Sequence, residues 1–223
     1  VKHIHTFDSF LNEQTLNEIG EGVSPFSWKR TGSNKVGTWM ADMSKWERGS
    51  SSQNNRLPDL SYEFKSDNAT YTVKILGWFN EHHYINFGQI KASATKPQDY
   101  NVSFAVSFGV EKGNNPNSEA ITNFGEQFRV ISTVSDIMQE LMKELQQIQW
   151  IKVDEIWIMP KTELGEELTP IPQTKRGRLY LEYIKKQGGK LKGTWTAEIR
   201  KDAYVLHNGK VSSSTHPQNY IPL

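Results

Sequence analysis

The sequence predicts an α/β domain built on a mixed sheet, and three patterns carry that reading. Between Leu60 and Val110 apolar residues recur with period two, the signature of half-buried strands. From Val134 to Ile148 the period lengthens to that of an amphipathic helix. Val153 to Met159 is then a nearly continuous apolar run closed by Pro160, which suits a strand covered on both faces. Together they predict an antiparallel meander, a βαβ unit, a further helix and a closing strand pair.

The stretch from Gln127 to Gly189 is the centre of this plan, because strand and helix signals alternate there over short connections. Phe128 to Ile131 reads as a short apolar strand, and Ser132 or Thr133 offers a side-chain oxygen to cap the helix that follows. On that helix Val134, Ile137, Met138, Leu141, Met142, Leu145 and Ile148 share a face. Gln139, Glu140, Lys143, Glu144 and Gln147 take the other. A strand, a crossover helix and a buried strand form a parallel unit, so the segment 128–131 is expected beside 153–159. After an acidic, Pro-flanked loop holding Glu163, Glu166 and Glu167, a helix from Lys175 to Gln187 turns Leu179, Tyr180, Tyr183 and Ile184 inward. Gly188 and Gly189 end it. Lys190 to Ile199 and Tyr204 to His207 read as the closing strands, with Lys201 and Asp202 in the turn.

The meander comprises alternating runs at Tyr62 to Phe64, Tyr71 to Ile75, Tyr84 to Ile90 and Val102 to Phe108, separated by polar turns. The adjacent His82 and His83 fall in one such turn; neighbours on a strand point to opposite faces, and no Asp, Glu or His sits at ligand spacing around them, so no metal site is expected. Residues 21–59 are rich in Ser, Gly, Asn and Lys, with Trp28, Trp39 and Trp46 among them, and read as a linker pinned to the domain by aromatic anchors. Tryptophans beside Lys29, Arg30, Lys35, Lys45 and Arg48 would also suit stacking on single-stranded bases. Asp42 and Glu47 break the basic run, which argues against a nucleic-acid partner. The sequence therefore divides into an opening segment 1–20, a linker 21–59, the α/β domain 60–210 and a polar tail 211–223.

Composition bounds the chemistry. The chain has 223 residues, a net charge of +1 and no cysteine. It can bury a substantial core, carries no global field directed at nucleic acid or membrane, and has neither disulfides nor cysteine nucleophiles. No apolar stretch approaches the ~20 residues that cross a bilayer, so no membrane partner is expected. No Ser/His/Asp arrangement, metal-ligand cluster or Walker loop is legible.

Three resemblances suggest function. The element order is similar to that of GNAT acyltransferases, and Arg178-Leu179-Tyr180 followed by Gly188-Gly189 resembles the Leu-Tyr motif of their last helix. The resemblance implies acetyl-CoA as cofactor, Tyr180 as the general acid, and a pyrophosphate site at the start of the central helix, residues Ile131, Ser132, Thr133, Val134 and Ser135. GNAT enzymes place a Gly-rich turn there, whereas this chain has Arg129-Val130-Ile131-Ser132-Thr133-Val134-Ser135, whose β-branched side chains crowd the amides. Ser132-Thr133-Val134 and Arg176 to Tyr180 also resemble a pattern in uncharacterised tailed-phage proteins. The opening residues, with Phe-Leu-Asn-Glu ending at Glu13 and a second Leu-Asn-Glu ending at Glu18, resemble a phage capsid-targeting peptide cut after Glu. That likeness implies a location in the host cytoplasm or the phage head interior; a plain N-terminal helix docked on the core is the other reading. Two functions stay open: an acyl-CoA-dependent N-acyltransferase, or a non-catalytic virion-associated protein that binds a host or phage factor on the same scaffold.

Overall fold

The computed structural model describes residues 24–31, 35–45, 59–80, 100–110, 126–148, 151–159, 170, 175–188, 194–209 and 220–222. Strands β1 (Trp28–Thr31), β2 (Asp59–Lys65), β3 (Thr70–Phe79), β4 (Tyr100–Val110), β5 (Ile151–Ile158), β6 (Trp195–Ile199), β7 (Tyr204–Asn208) and β8 (Tyr220–Pro222) accompany helices α1 (Val36–Lys45), α2 (Gln127–Gln146) and α3 (Lys175–Gly188). The strands form one eight-stranded sheet in the order β1-β2-β3-β4-β5-β7-β6-β8. Among the described strands only β4 and β5 pair in parallel; every other neighbouring pair is antiparallel. The fold is thus a mixed α/β sheet, as the alternating periods predict.

Three of the four period-two runs, at 62–64, 71–75 and 102–108, fall on strands as expected. In β2 the residues Leu60, Tyr62 and Phe64 are buried, and in β3 Tyr71, Val73 and Ile75, with the intervening positions half-exposed. Register carries this face across the sheet. Ile75 stands opposite Val106, Val106 opposite Ile158, and Ile158 opposite Tyr204. All three described helices lie over that face. A Cβ at Gly77, cross-strand from Phe104, would come within 2.3 Å of the Trp39 ring of α1, so this position must be glycine for the helix to approach the sheet. Helix α2 buries Val130, Val134, Ile137, Leu141, Met142 and Leu145, six positions at helical spacing.

The central unit is parallel, but its first strand is not the one expected. Phe128 to Ile131 belong to the first turns of α2, which begins at Gln127, and the parallel neighbour of β5 is β4. The four residues fit the helical period of the segment behind them, and Val130 N–H already bonds the Glu126 carbonyl at 2.9 Å. Ser132 and Thr133 therefore lie inside the helix and do not cap it. Nor is β5 covered on both faces in the way a continuous apolar run implies: Glu155 and Trp157 occupy its second face. A bulge between Val102 and Ser103, where Asp154 has no partner on β4, shifts the alternation and hides it from a simple reading.

The segment read as a linker supplies β1 and α1. Phe26 stacks on Phe64, with ring centroids 5.8 Å apart, and Trp28 Nε1 donates to Asp136 Oδ2 at 2.7 Å. Arg30 pairs with Glu144 and donates to the Tyr62 hydroxyl at 3.2 Å. On α1, Trp39, Met40 and Met43 are fully buried. Part of the tail is likewise structured, since Tyr220–Pro222 pair with β6. The opening peptide with Glu13 and Glu18, the expected strand 84–90, His82, His83, Trp46 and the loop with Glu163, Glu166 and Glu167 all lie outside the described residues.

Candidate functional site

Helices α2 and α3 cross the sheet side by side and leave a partly open cavity of about 100 Å³ between them. Its floor is Val106 and Phe108 of β4, Ile156 and Ile158 of β5, and Leu206 of β7. Helix α2 contributes Ile131, Val134, Ser135, Met138 and Gln139, and α3 contributes Tyr180, Tyr183 and Ile184. The spacings of three and four along both helices put these side chains on facing stripes. The parallel pair sets the location: Val106 opposite Ile158 is its last register match, and β4 runs on to Val110 with no strand partner on that side among the described residues. The cavity therefore sits at the carboxyl end of the parallel pair, where open α/β sheets hold ligands.

Four of the sequence-predicted site residues, Ile131, Val134, Ser135 and Tyr180, meet at this cavity. The half-buried Tyr180 ring stacks on Phe108, 5.6 Å between centroids and 26° between planes. Tyr183 is hydrogen-bonded to the side chains of Ser135 and Ser132, and burial pushes its phenol above the ordinary value against those bonds. Gln139 Nε2 donates to Ser135 Oγ at 3.4 Å. Thr133 points away from the cavity. Its fully buried hydroxyl donates to the Arg129 carbonyl at 2.7 Å and accepts from Phe26 N–H at 2.8 Å, tying the chain before β1 to α2.

The backbone of residues 131–135 does not form an anion cradle. In the second turn of a helix these N–H groups bond the carbonyls four residues earlier. The N–H groups that a helix leaves without an internal partner belong to its first turn, here near Glu126. Glu126 makes no side-chain cap; one carboxylate oxygen accepts from Asn68 Nδ2 at 2.8 Å, and the other is buried with no partner among the described residues. A carboxylate thus stands at the helix end where a pyrophosphate would bind.

Sequence reasoning missed the floor residues as site residues, since an apolar alternation marks a core position equally well whether a helix covers it or a cavity does. It also missed a polar cluster on the opposite sheet face. Glu155, His207 and Thr196 are lateral neighbours on β5, β7 and β6. His207 Nε2 lies 2.9 Å from Glu198 Oε2 and Nδ1 lies 3.3 Å from Glu155 Oε1, so both ring nitrogens face carboxylates and the imidazolium is favoured. The Glu155 contact, then that of Glu198, raises His207 against the opposing effect of burial. Glu155 is held below the usual carboxylate range, first by His207 and also by Trp157 Nε1, which donates at 2.8 Å. Arg200 donates to Glu198 at 2.7 Å and lies over the Trp157 ring.

Ser103, next to Glu155 on β4, is fully buried and its hydroxyl has no partner among the described residues. Ser, Glu and His are the residue types of a catalytic triad, but their order is wrong for one. Glu155 stands in the middle, and Ser103 and His207 are two strands, roughly 9–10 Å, apart. A triad needs the imidazole between the hydroxyl and the carboxylate. Among the described residues no group of three His, Asp or Glu side chains could hold a metal ion, and no helix is long and apolar enough to cross a membrane. Comparison with family models, curated proteins and solved structures gave no match.

Proposed function

We propose that the chain is an acyl-CoA-dependent N-acyltransferase of GNAT-like architecture working at the α2–α3 cavity. The observation that carries this reading is the meeting of Tyr180 with Ile131, Val134 and Ser135 around one cavity at the carboxyl end of a parallel strand pair. The element order supports it: three antiparallel strands, β2 to β4, then a helix, a parallel strand, a helix and a closing antiparallel pair. In the proposed reaction an amine nitrogen attacks the thioester carbonyl, the new C–N bond forms and the C–S bond breaks. Tyr180 gives its phenolic proton to the departing thiolate and recovers one, through solvent, from the acylated nitrogen. Amides of residues 107–110 that point away from β3 have no strand partner among the described residues and would stabilise the oxyanion. Acetyl-CoA is the simplest donor.

The test is thermal denaturation with CoA and acetyl-CoA, because a ligand that binds the native state alone raises its melting temperature. A shift of several degrees with both, together with slower turnover and unchanged binding in Tyr180→Phe, is expected. The absence of any shift would overturn the proposal.

One observation favours the second reading, a non-catalytic phage protein that uses the scaffold to bind a host or phage factor. The Glu126 carboxylate occupies the end of α2 where the resemblance requires room for a pyrophosphate. For that reading, recovery of the chain from phage particles, cut after Glu13 or Glu18, is the expected result.

A further inference from the structure

We propose that the α2–α3 cavity selects an acyl group of about four carbons over acetyl, an inference that rests on the acyltransferase reading and narrows its substrate. No described lining residue carries an ionised side chain. The polar ones at the α2 edge are already engaged, Gln139 with Ser135 and Ser135 with Tyr183, so they do not require a polar guest. Elsewhere the walls are aliphatic or aromatic, from Val106 and Ile158 below to Met138 and Ile184 at the sides.

Size narrows the guest further. An apolar cavity of roughly 150 Å³ takes a six-carbon ring. A cavity of about 100 Å³ has room for fewer atoms, and about four carbons fill it. An acetyl methyl would leave much of that surface without contacts, whereas butyryl adds two methylenes, each strengthening binding roughly fourfold when buried. Beyond that length the described walls end, and the gain should stop.

The experiment measures Kd on the full chain for CoA, acetyl-CoA, butyryl-CoA and octanoyl-CoA. Butyryl-CoA should bind roughly tenfold tighter than acetyl-CoA, with octanoyl-CoA no tighter than butyryl-CoA. If CoA and acetyl-CoA bind but butyryl-CoA is no tighter, the chain-length inference fails while the acyltransferase reading stands. If no CoA species binds, both fall. Met138→Phe, which adds bulk to the wall, should reduce the butyryl-to-acetyl ratio below about threefold; an unchanged ratio in a folded variant would place the acyl group elsewhere and overturn the proposal. Should that variant not fold, the wild-type series decides alone.

Discussion

The two faces of the sheet use their polar groups in opposite ways. On one face β5 and β7 present Ile156, Ile158 and Leu206 to the helices, and the polar side chains nearby, Ser132, Ser135, Gln139 and Tyr183, bond one another at the edge of a cavity. On the other, Glu155, Trp157, Glu198, Arg200 and His207 form a closed set in which each acceptor has a donor. A closed polar set stabilises a surface and offers a ligand little, because its hydrogen bonds are already made. An apolar hollow has surface still to bury. Perturbed ionisable groups often mark a functional site; here Glu155, Glu198 and His207 belong to the closed set, and the cavity holds the burial-raised Tyr183.

The comparison breaks most severely if the helical face loses its core. Leu141 has no exposed surface, and Leu141→Asp should cost about 4 kcal/mol or more by placing an unpaired carboxylate under α2. Urea denaturation should show the variant unfolded, or its midpoint moved far down. Gly77→Val comes next. Its Cβ alone would meet the Trp39 ring at 2.3 Å and the Met43 sulfur at 2.5 Å, so α1 must shift, at a cost of roughly 1–3 kcal/mol by the same measurement.

The polar face should respond to pH and less to substitution. His207 is raised, so its contribution is fully present below its unfolded value of ~6.5 and is lost as pH rises through the higher folded value. Glu155 and Glu198 are lowered, so theirs is present above the usual carboxylate value of ~4.3 and is lost as pH falls through their folded values. Stability from this cluster should therefore be greatest between those limits. His207→Gln should remove the alkaline loss at a cost on the order of 1 kcal/mol, read from melting temperatures at a series of pH values. The smallest effect expected is at the end of α2: Glu126→Gln should tighten CoA binding about two- to fivefold by removing a negative charge from the anion position, measured by calorimetry. No change there would place the pyrophosphate elsewhere.

Patterns that arise within one segment were legible without a structure. The alternation in 60–64, 71–75 and 102–108 located β2, β3 and β4, and the positions Ile137, Leu141 and Leu145 located the buried stripe of α2. Tyr180, Ile131, Val134 and Ser135 were found on different grounds, and their sharing a cavity is a tertiary fact. The error at Phe128 to Ile131 has a plain cause: a four-residue apolar run suits a strand or a helix turn equally well, and only the 3.6-residue continuity into Val134 and Ile137 distinguishes them.

What the sequence determined by itself is the set of local periods, and with them an α/β class, a long amphipathic α2 and a closing strand pair, because side-chain spacing alone specifies which positions can share a buried face. Tertiary structure decided which strands are neighbours. That β5 pairs with β4 and that Glu155, His207 and Glu198 close a network across three strands are properties of sheet order, and that Trp28 and Arg30 reach Asp136 and Glu144 over a hundred residues away is a property of how α2 packs on the sheet. Pairing energy depends on partners brought together from distant segments, and no single segment carries the information that names its partner.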